Sequence, residues 1–473
     1  MSFASLPSRF RVARPVAAIA LALVLGACAT GPNFEAPAND FKGRISVVDT
    51  PVVVPGAEVK IAGQDFVPGQ QVQLSYGGVA LGAPATADAD GKFRTAFTVP
   101  ANAPAGQHPV VVSATKPLAA LVHPLKVSPN VPLSGQDKFS LSSQKLVNGL
   151  YQAAYSTRSN SVFVTSAVGR PPVSQSELVK VNAQTLAIEA RVTPAAAPAA
   201  APAPGQQARA PGVFAVYGVG VDDSNGTVWV TNTRQNTVAV YRQANLQLVK
   251  QFEPGAAPHA RDVLIDEARS KAFVSPVFHP AIKVFDTKTL QALPEIKIET
   301  TVKGRDAKDF SPMSIDLDRQ AGKLYVVSGN APEVAIIDTA TAKVEKIFLV
   351  DGIKSPTGIG YDERSKRLFV TAQGSDNVAI VDPATGKTLH TVPVGAGSLN
   401  VAVDATRGLA YVPNRGAGTV TVVDTNGKIV GNLPGGTFPN HVTFDGKGSV
   451  FAVNKARGAD DAQGDRITRI TPR

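Results

Sequence analysis

The residues of this chain that could do chemistry recur along it instead of clustering. Asp222, Asp266, Asp318, Asp362, Asp404 and Asp445 each close a short apolar run and precede a polar turn. Such a series is either a catalytic array or a repeated cap. Its fixed place in every repeat favours the cap, because an Asp there accepts a hydrogen bond from the backbone two residues on. Asp286, Asp338, Asp382 and Asp424, each ending a later strand of its repeat, read the same way. The six histidines include no pair at metal-ligand spacing on one element. The single cysteine, Cys28, excludes an intramolecular disulfide and a cysteine-based zinc site. The chain has no Gly-x-Ser-x-Gly elbow, phosphate loop or dinucleotide motif. Asp460, Asp461 and Asp465 could hold calcium, although a solvated loop suits them better. Asp88-x-Asp90-Gly91 lacks the later ligands of a calcium loop and reads as a hairpin turn.

The elements that position these residues are short strands. The word in Val401–Asp424 returns in Ile359–Asp382 and Ile315–Asp338: an apolar strand, a turn, an aromatic–Val strand, a loop and a third strand. Repeats of about 40 residues built this way are the signature of a β-propeller. Seven copies are legible, the first starting at Tyr151 and the last holding Val442–Asp445, Val450–Asn454 and Arg466–Thr471. The last copy lacks an outer strand, and an open edge invites aggregation. Lys138–Lys145 alternates suitably and is expected to supply it. The Ala/Pro-rich stretch 195–210 interrupts the pattern and cannot bury a core, so it is expected to be disordered.

Aligned repeats place the starts of the first strands around one channel mouth: Tyr151/Gln152, Tyr217/Gly218, Arg261/Asp262, Met313/Ser314, Thr357/Gly358, Leu399/Asn400 and Asn440/His441. Loops between the second and third strands add Arg170, Arg234, His279, Gln373, Arg415, Lys455 and Arg457. Arginine offers forked donors to phosphate or carboxylate, and tyrosine offers a stacking face. The candidate binding set is Tyr151, Arg170, Tyr217, Arg234, Arg261, Asp262, Asn400, Arg415, Asn440, His441 and Lys455. No catalytic set and no cofactor are expected. A lactonase-like hydrolase would have to draw on Asp262 and His441, with Asp316 deeper in the channel.

Composition agrees with strands: charged residues are 18%, aromatics 6%, and Gly (41) and Pro (36) supply many turns. Residues 1–27 hold Arg9, Arg11 and Arg14 and then the apolar run Val16–Leu25, a secretory leader too short for a convincing span. The formal charge of +10 falls by these three to +7 when the leader is removed. A mildly basic protein is drawn to anionic surfaces or polymers. Leu25-Gly26-Ala27-Cys28 resembles the bacterial lipobox, in which the cysteine is lipidated. Acyl chains there bury enough CH₂ for stable anchoring. Ala27-Cys28-Ala29 also fits ordinary leader cleavage. In the lipoprotein pattern that this segment resembles, Ala29 rather than Asp after the cysteine implies the outer membrane. Residues 28–41 then form a tether. From 42 to 129 the periodicity is two, with strands at Ala57–Phe66, Gln71–Tyr76, Lys92–Val99, Pro109–Ala114 and Ala119–Val127.

The segment Pro55-Gly56…Gly63-Gln64-Asp65-Phe66-Val67-Pro68-Gly69, with Val99-Pro100…Gly106, resembles bacterial immunoglobulin-like domains. Such domains usually serve as spacers or adhesion modules. Val230-Thr231-Asn232, Tyr411-Val412-Pro413-Asn414 and Phe369-Val370-Thr371 resemble the YVTN propeller repeat. With Gln144–Ser156 and Pro439-Asn440-His441 they make residues 133–473 similar to the YncE family of exported seven-bladed propellers. The expected fold is therefore all-β: an immunoglobulin-like sandwich followed by a seven-bladed propeller. The expected function is non-catalytic binding of an envelope protein, a glycan or an anionic polymer by a monomeric, exported lipoprotein facing the periplasm or the cell surface. The YncE resemblance adds single-stranded DNA as an alternative partner.

Overall fold

The computed structural model describes residues 40–199, 210–300 and 302–473. The leader, Cys28 and nearly all of the expected tether lie outside the described residues. The first region is a β-sandwich. One sheet orders β1 (Arg44–Val48), β2 (Glu58–Gln64) and β5 (Phe93–Thr98); the other orders β4 (Val79–Thr86), β3 (Gln71–Tyr76), β6 (Gly106–Thr115) and β7 (Ala119–Val127). Alternation sends Val59, Ile61, Leu74, Val110 and Val112 inward to one core. Phe41, Phe66 and Phe93 close one side of it edge-to-face, with centroids 5.2 and 5.0 Å apart. Asp88 makes the expected turn: its Oδ1 accepts the Asp90 and Lys92 N–H groups at 2.9 and 2.8 Å. Strands β1 and β4 have no counterpart in the sequence reading.

Seven four-stranded antiparallel sheets follow, and their innermost strands contact one another in a closed ring. From centre to rim the strands of each blade are called A to D. Strand B carries one aromatic per blade: Phe163, Trp229, Phe273, Tyr325, Phe369, Tyr411 and Phe451, all buried. Each packs into the core it shares with the next blade. Trp229 meets Val263 and Phe285 of blade three, and Phe451 meets Leu150 and Val164 of blade one. Burying each such ring contributes about 1.5–3 kcal/mol. Strand β8 (Phe139–Lys145) pairs antiparallel with Arg466–Pro472, so the start of the propeller supplies the outer strand of its last blade. That pairing protects both edges.

The recurring aspartates cap the A–B turns. Asp362 Oδ1 accepts the Arg364 N–H at 2.9 Å, Asp404 Oδ1 that of Thr406 at 3.0 Å, and Asp445 Oδ1 that of Lys447 at 2.7 Å. Asp222 and Asp318 cap one residue further on, at Asn225 and Ala321. The Ala/Pro stretch is ordered at its ends: Ala196 bridges Val213, and the Ala197 N–H donates to the Gly212 carbonyl at 2.8 Å. The expectation of disorder from 195 is corrected at these positions. Backbone pairing holds them, with Ala197 buried and Ala196 exposed. Residues 200–209 lie outside the described set.

Candidate functional site

Blades one to four meet at the mouth through small hydroxyl side chains on strand B. Thr165 donates to the Tyr217 carbonyl, Thr231 to that of Arg261 at 3.1 Å, and Ser275 to that of Met313 at 2.6 Å. Each bond fixes the neighbouring strand A close to its start. Gly218 allows the closest approach, since a Cβ there would stand 2.0 Å from the Arg261 carbonyl oxygen. Side chains from all seven strand-A starts surround a cavity of about 840 Å³, among them Tyr151, Tyr217, Arg261, Met313, Thr357, Leu399 and Asn440.

Arg234, Arg261 and Arg415 converge on this cavity. Arg234 is exposed on the rim. Arg261 crosses the mouth and donates from Nη1 to the Thr357 carbonyl at 2.9 Å, with Nε 3.9 Å from Asp262 Oδ1. Arg415 donates to Asn440 Oδ1, and its guanidinium lies 4.7 Å from the Phe438 ring centroid. Burial lowers the Arg415 pKa from its ordinary value. Asn440 also donates to the Tyr151 carbonyl at 3.1 Å, so it joins blade six to blade one.

Gln152 and His441 form the waist between the mouth and a deeper channel cavity of about 500 Å³. Gln152 Nε2 donates to Asp262 Oδ1 at 2.7 Å. His441 Nδ1 accepts the Ala153 N–H at 3.3 Å, which puts a neutral ring's proton on Nε2. Burial, against the attraction of Asp262 and reinforced by Arg261, lowers the His441 pKa to about 4. Asp262 and Asn400 line the channel and not the mouth. Asn400 Oδ1 accepts the Val442 N–H at 3.1 Å. Asp316 accepts the Leu317 and Tyr361 N–H groups at 2.9 and 2.7 Å, and burial raises its pKa. The carboxylates available to a hydrolase are thus engaged by Gln152 or by backbone. Among the described residues, no three His, Cys, Asp or Glu side chains are grouped to hold a metal.

Several sequence placements are corrected. Arg170 is exposed beside Pro171 and Pro172 and does not line the mouth, because the B–C connection of blade one carries it outward. His279 bonds Glu295 of its own outer strand at 3.0 Å. Lys455 does not line the cavity: it donates to the Ala167 carbonyl, and its Nζ lies 4.0 Å from the Tyr151 ring centroid. Tyr217 is buried and packs edge-to-face on Tyr151 at 4.7 Å. The tyrosines therefore offer less free stacking surface than expected. Asp465 is not a solvated loop residue either, because it is buried and accepts the Gly149 N–H at 2.8 Å and that of Ala456 at 3.1 Å. The sequence reading missed Phe278, Lys308 and Phe310, which line the mouth from the connections within and after blade three. Phe278 is 80% exposed, with φ 69°. An aromatic in the loop Val277-Phe278-His279-Pro280 was the available signal.

No protein-family model and no curated protein matches this chain. Solved structures do. Kuenenia stuttgartiensis hydrazine synthase is similar at TM-score 0.52 and 16% identity, over 66% of this chain and 94% of that one. Virginiamycin B lyase from Staphylococcus aureus is similar at TM-score 0.52 and 16% identity, over 70% and 99%. The Cps50 (Swd1) β-propeller domain of Myceliophteria thermophila is similar at TM-score 0.52 and 11% identity, over 69% and 99%. These likenesses show a β-propeller fold, which serves both enzymes and interaction modules.

Proposed function

We propose that this chain is an envelope-anchored, YncE-like binding protein whose propeller mouth takes an anionic ligand without catalysis. The observation that carries the reading is the convergence of Arg234, Arg261 and Arg415 on one cavity of about 840 Å³. Lys308 adds a fourth cation and Asp309 the opposing acid at the same rim. The Met1–Ala27 leader and Cys28 support export and lipidation, and the spacing of Pro, Gly and Asp residues in the sandwich supports an immunoglobulin-like module. The ligand class spans an acidic envelope protein, an acidic glycan and an anionic polymer. Single-stranded nucleic acid is the polymer favoured by a specific feature, because exposed Phe278 offers an aromatic face beside the cations.

The test is a binding titration of the soluble form from Ala29 onward against labelled single-stranded DNA, at low and at physiological salt. Saturable binding that weakens log-linearly with salt, and is lost when Arg234, Arg261 and Arg415 become Glu, supports the nucleic-acid form of the reading. Absence of binding at low salt sinks that form and directs the search to envelope proteins and glycans. A triple variant that binds every anionic probe as the wild type does would sink the mouth as the site.

A further inference from the structure

Lys126 belongs to β7 of the sandwich, yet its ammonium is bonded to the propeller. It donates to the Gln373 carbonyl and to Asp376 Oδ1, each at 2.6 Å. Asp376 sits in the B–C loop of blade five, in left-handed backbone (φ 54°), with its side chain 1% exposed. The same Oδ1 accepts the Gly397 N–H at 2.7 Å, and the Gly397 carbonyl accepts the Arg415 N–H at 2.9 Å. Three hydrogen bonds thus connect a sandwich lysine to the backbone of a mouth arginine. Gln373 and Arg415 line the mouth, and both also line a second cavity of about 540 Å³ between β1, β7 and the rim. Val52 packs against Gly416 so closely that a Cβ there would stand 3.1 Å from its Cγ2. The linker is held as well: Asn432 Nδ2 donates to the Val131 carbonyl at 2.9 Å, and Ser134 bridges Asn432.

We propose that the sandwich is part of the ligand site, with Lys126 as a positioning residue that orders the rim segments carrying Gln373 and Arg415. The proposal rests on the reading that the mouth binds an anion. A buried carboxylate is costly without a partner, and Asp376 Oδ2 has none among the described residues. Lys126 supplies the countercharge. Without it the blade-five loop must open to hydrate Asp376, which releases Gly397 and then the Arg415 amide. The guanidinium of Arg415 is fixed at its far end by Asn440 and Phe438, so its aim depends on both ends being held. Ligand in the mouth and docking of the sandwich are then coupled, and each strengthens the other by the same factor.

The experiment uses the soluble chain from Ala29 onward, with Lys126→Met, Lys126→Arg and, as control, Lys60→Met at an exposed position on β2. Amide hydrogen exchange is followed over 372–377 and 395–416, and affinity is measured for a labelled single-stranded oligodeoxynucleotide at low salt. Lys126→Met is expected to speed exchange at Gly397 and Arg415 by about tenfold or more. It is expected to weaken the oligonucleotide by about tenfold, or about 1.4 kcal/mol. Lys126→Arg should keep most of both properties, and Lys60→Met should change neither. Unchanged exchange in Lys126→Met overturns the proposal, as does unchanged affinity in spite of loosened rim segments. Faster exchange together with a wild type that does not bind the oligonucleotide leaves Lys126 as the positioning residue and refutes only the nucleic-acid form of the anion reading.

Discussion

At the A–B turns, six blades place Asp at the end of strand A or directly after it, and blade one ends it with Ser156, whose Oγ accepts the Ser159 N–H at 3.1 Å. At the opposite end of the same strands, the seven corresponding side chains are Tyr151, Tyr217, Arg261, Met313, Thr357, Leu399 and Asn440. One end repeats a single solution to a single backbone problem. The other end has hydroxyl locks from strand B in blades one to three and no common side chain. A repeat protein must satisfy the same turn in every blade, so identity at the turns is a structural demand. Variety at the mouth is free of that demand and leaves room for recognition. In this molecule chemistry is to be sought where the repeat breaks, and that holds for cations as well as for acids.

The contrast is sharpest if the repeated positions carry stability and the varied ones do not. The largest effect is expected from a strand-B aromatic. Trp229 is fully buried between blades two and three, with Phe252 and Phe285 at 5.9 and 6.0 Å. Trp229→Ala should cost about 3–5 kcal/mol, through lost burial and the cavity left behind. Chemical denaturation of both proteins measures it. A shift below about 1 kcal/mol would show that the blades do not depend on these wedges.

His441 is the varied position expected to come nearest to that effect, and pH exposes it. Its folded pKa of about 4 lies below its ordinary value of 6.5. Below pH 6.5 the unfolded chain binds a proton that the folded one refuses, so stability falls as pH drops from about 6.5 toward 4. Above pH 6.5 the contribution is fully present. The span corresponds to about 3 kcal/mol at most, and less to the extent that the channel keeps the ring solvated. His441→Gln should flatten the slope of unfolding free energy against pH in that window. An unchanged slope would place the acid sensitivity elsewhere.

The strand words, the capping aspartates and the closing strand β8 were legible because each obeys a local rule: alternation, a turn that needs an acceptor, or an edge that needs a partner. The seven mouth positions followed from aligning those words. Strand β4 was not legible because none of its residues is buried, which leaves no period of two to detect. Strand β1 is a five-residue edge strand with the same weakness. The Lys126–Asp376 contact leaves no trace in either neighbourhood, since it joins loops and strands from different domains. Lys455 is the instructive case. Its loop position was readable, but its placement over Tyr151 depends on how blades seven and one meet.

Among the repeated polar positions, Asp404 gives a moderate effect. It is fully buried and accepts the N–H groups of Thr406 and Arg407 and the guanidinium of Arg407 at 3.0 Å. Asp404→Ala orphans these donors in one turn and should cost about 2 kcal/mol, read as a shift in denaturation midpoint with unchanged m-value.

Arg234 marks the other pole. It is exposed, lies on a rim turn outside every blade core, and lines the cavity. Arg234→Glu should change stability by no more than about 0.5 kcal/mol, because its charge is solvated and the buried group it acts on, the Tyr217 hydroxyl, is neutral. Burial raises the Tyr217 hydroxyl pKa, and Arg234 works against that rise, so the substitution should move the Tyr217 titration further upward. Ultraviolet difference titration reads that shift without any ligand. The same variant should weaken an anionic probe several-fold and reduce the salt dependence of what binding remains. If Arg234→Glu instead destabilises the fold as much as Asp404→Ala, the rim turn is structural. The distinction between a repeated end that holds the ring and a varied end that meets the ligand would then fail at its simplest position.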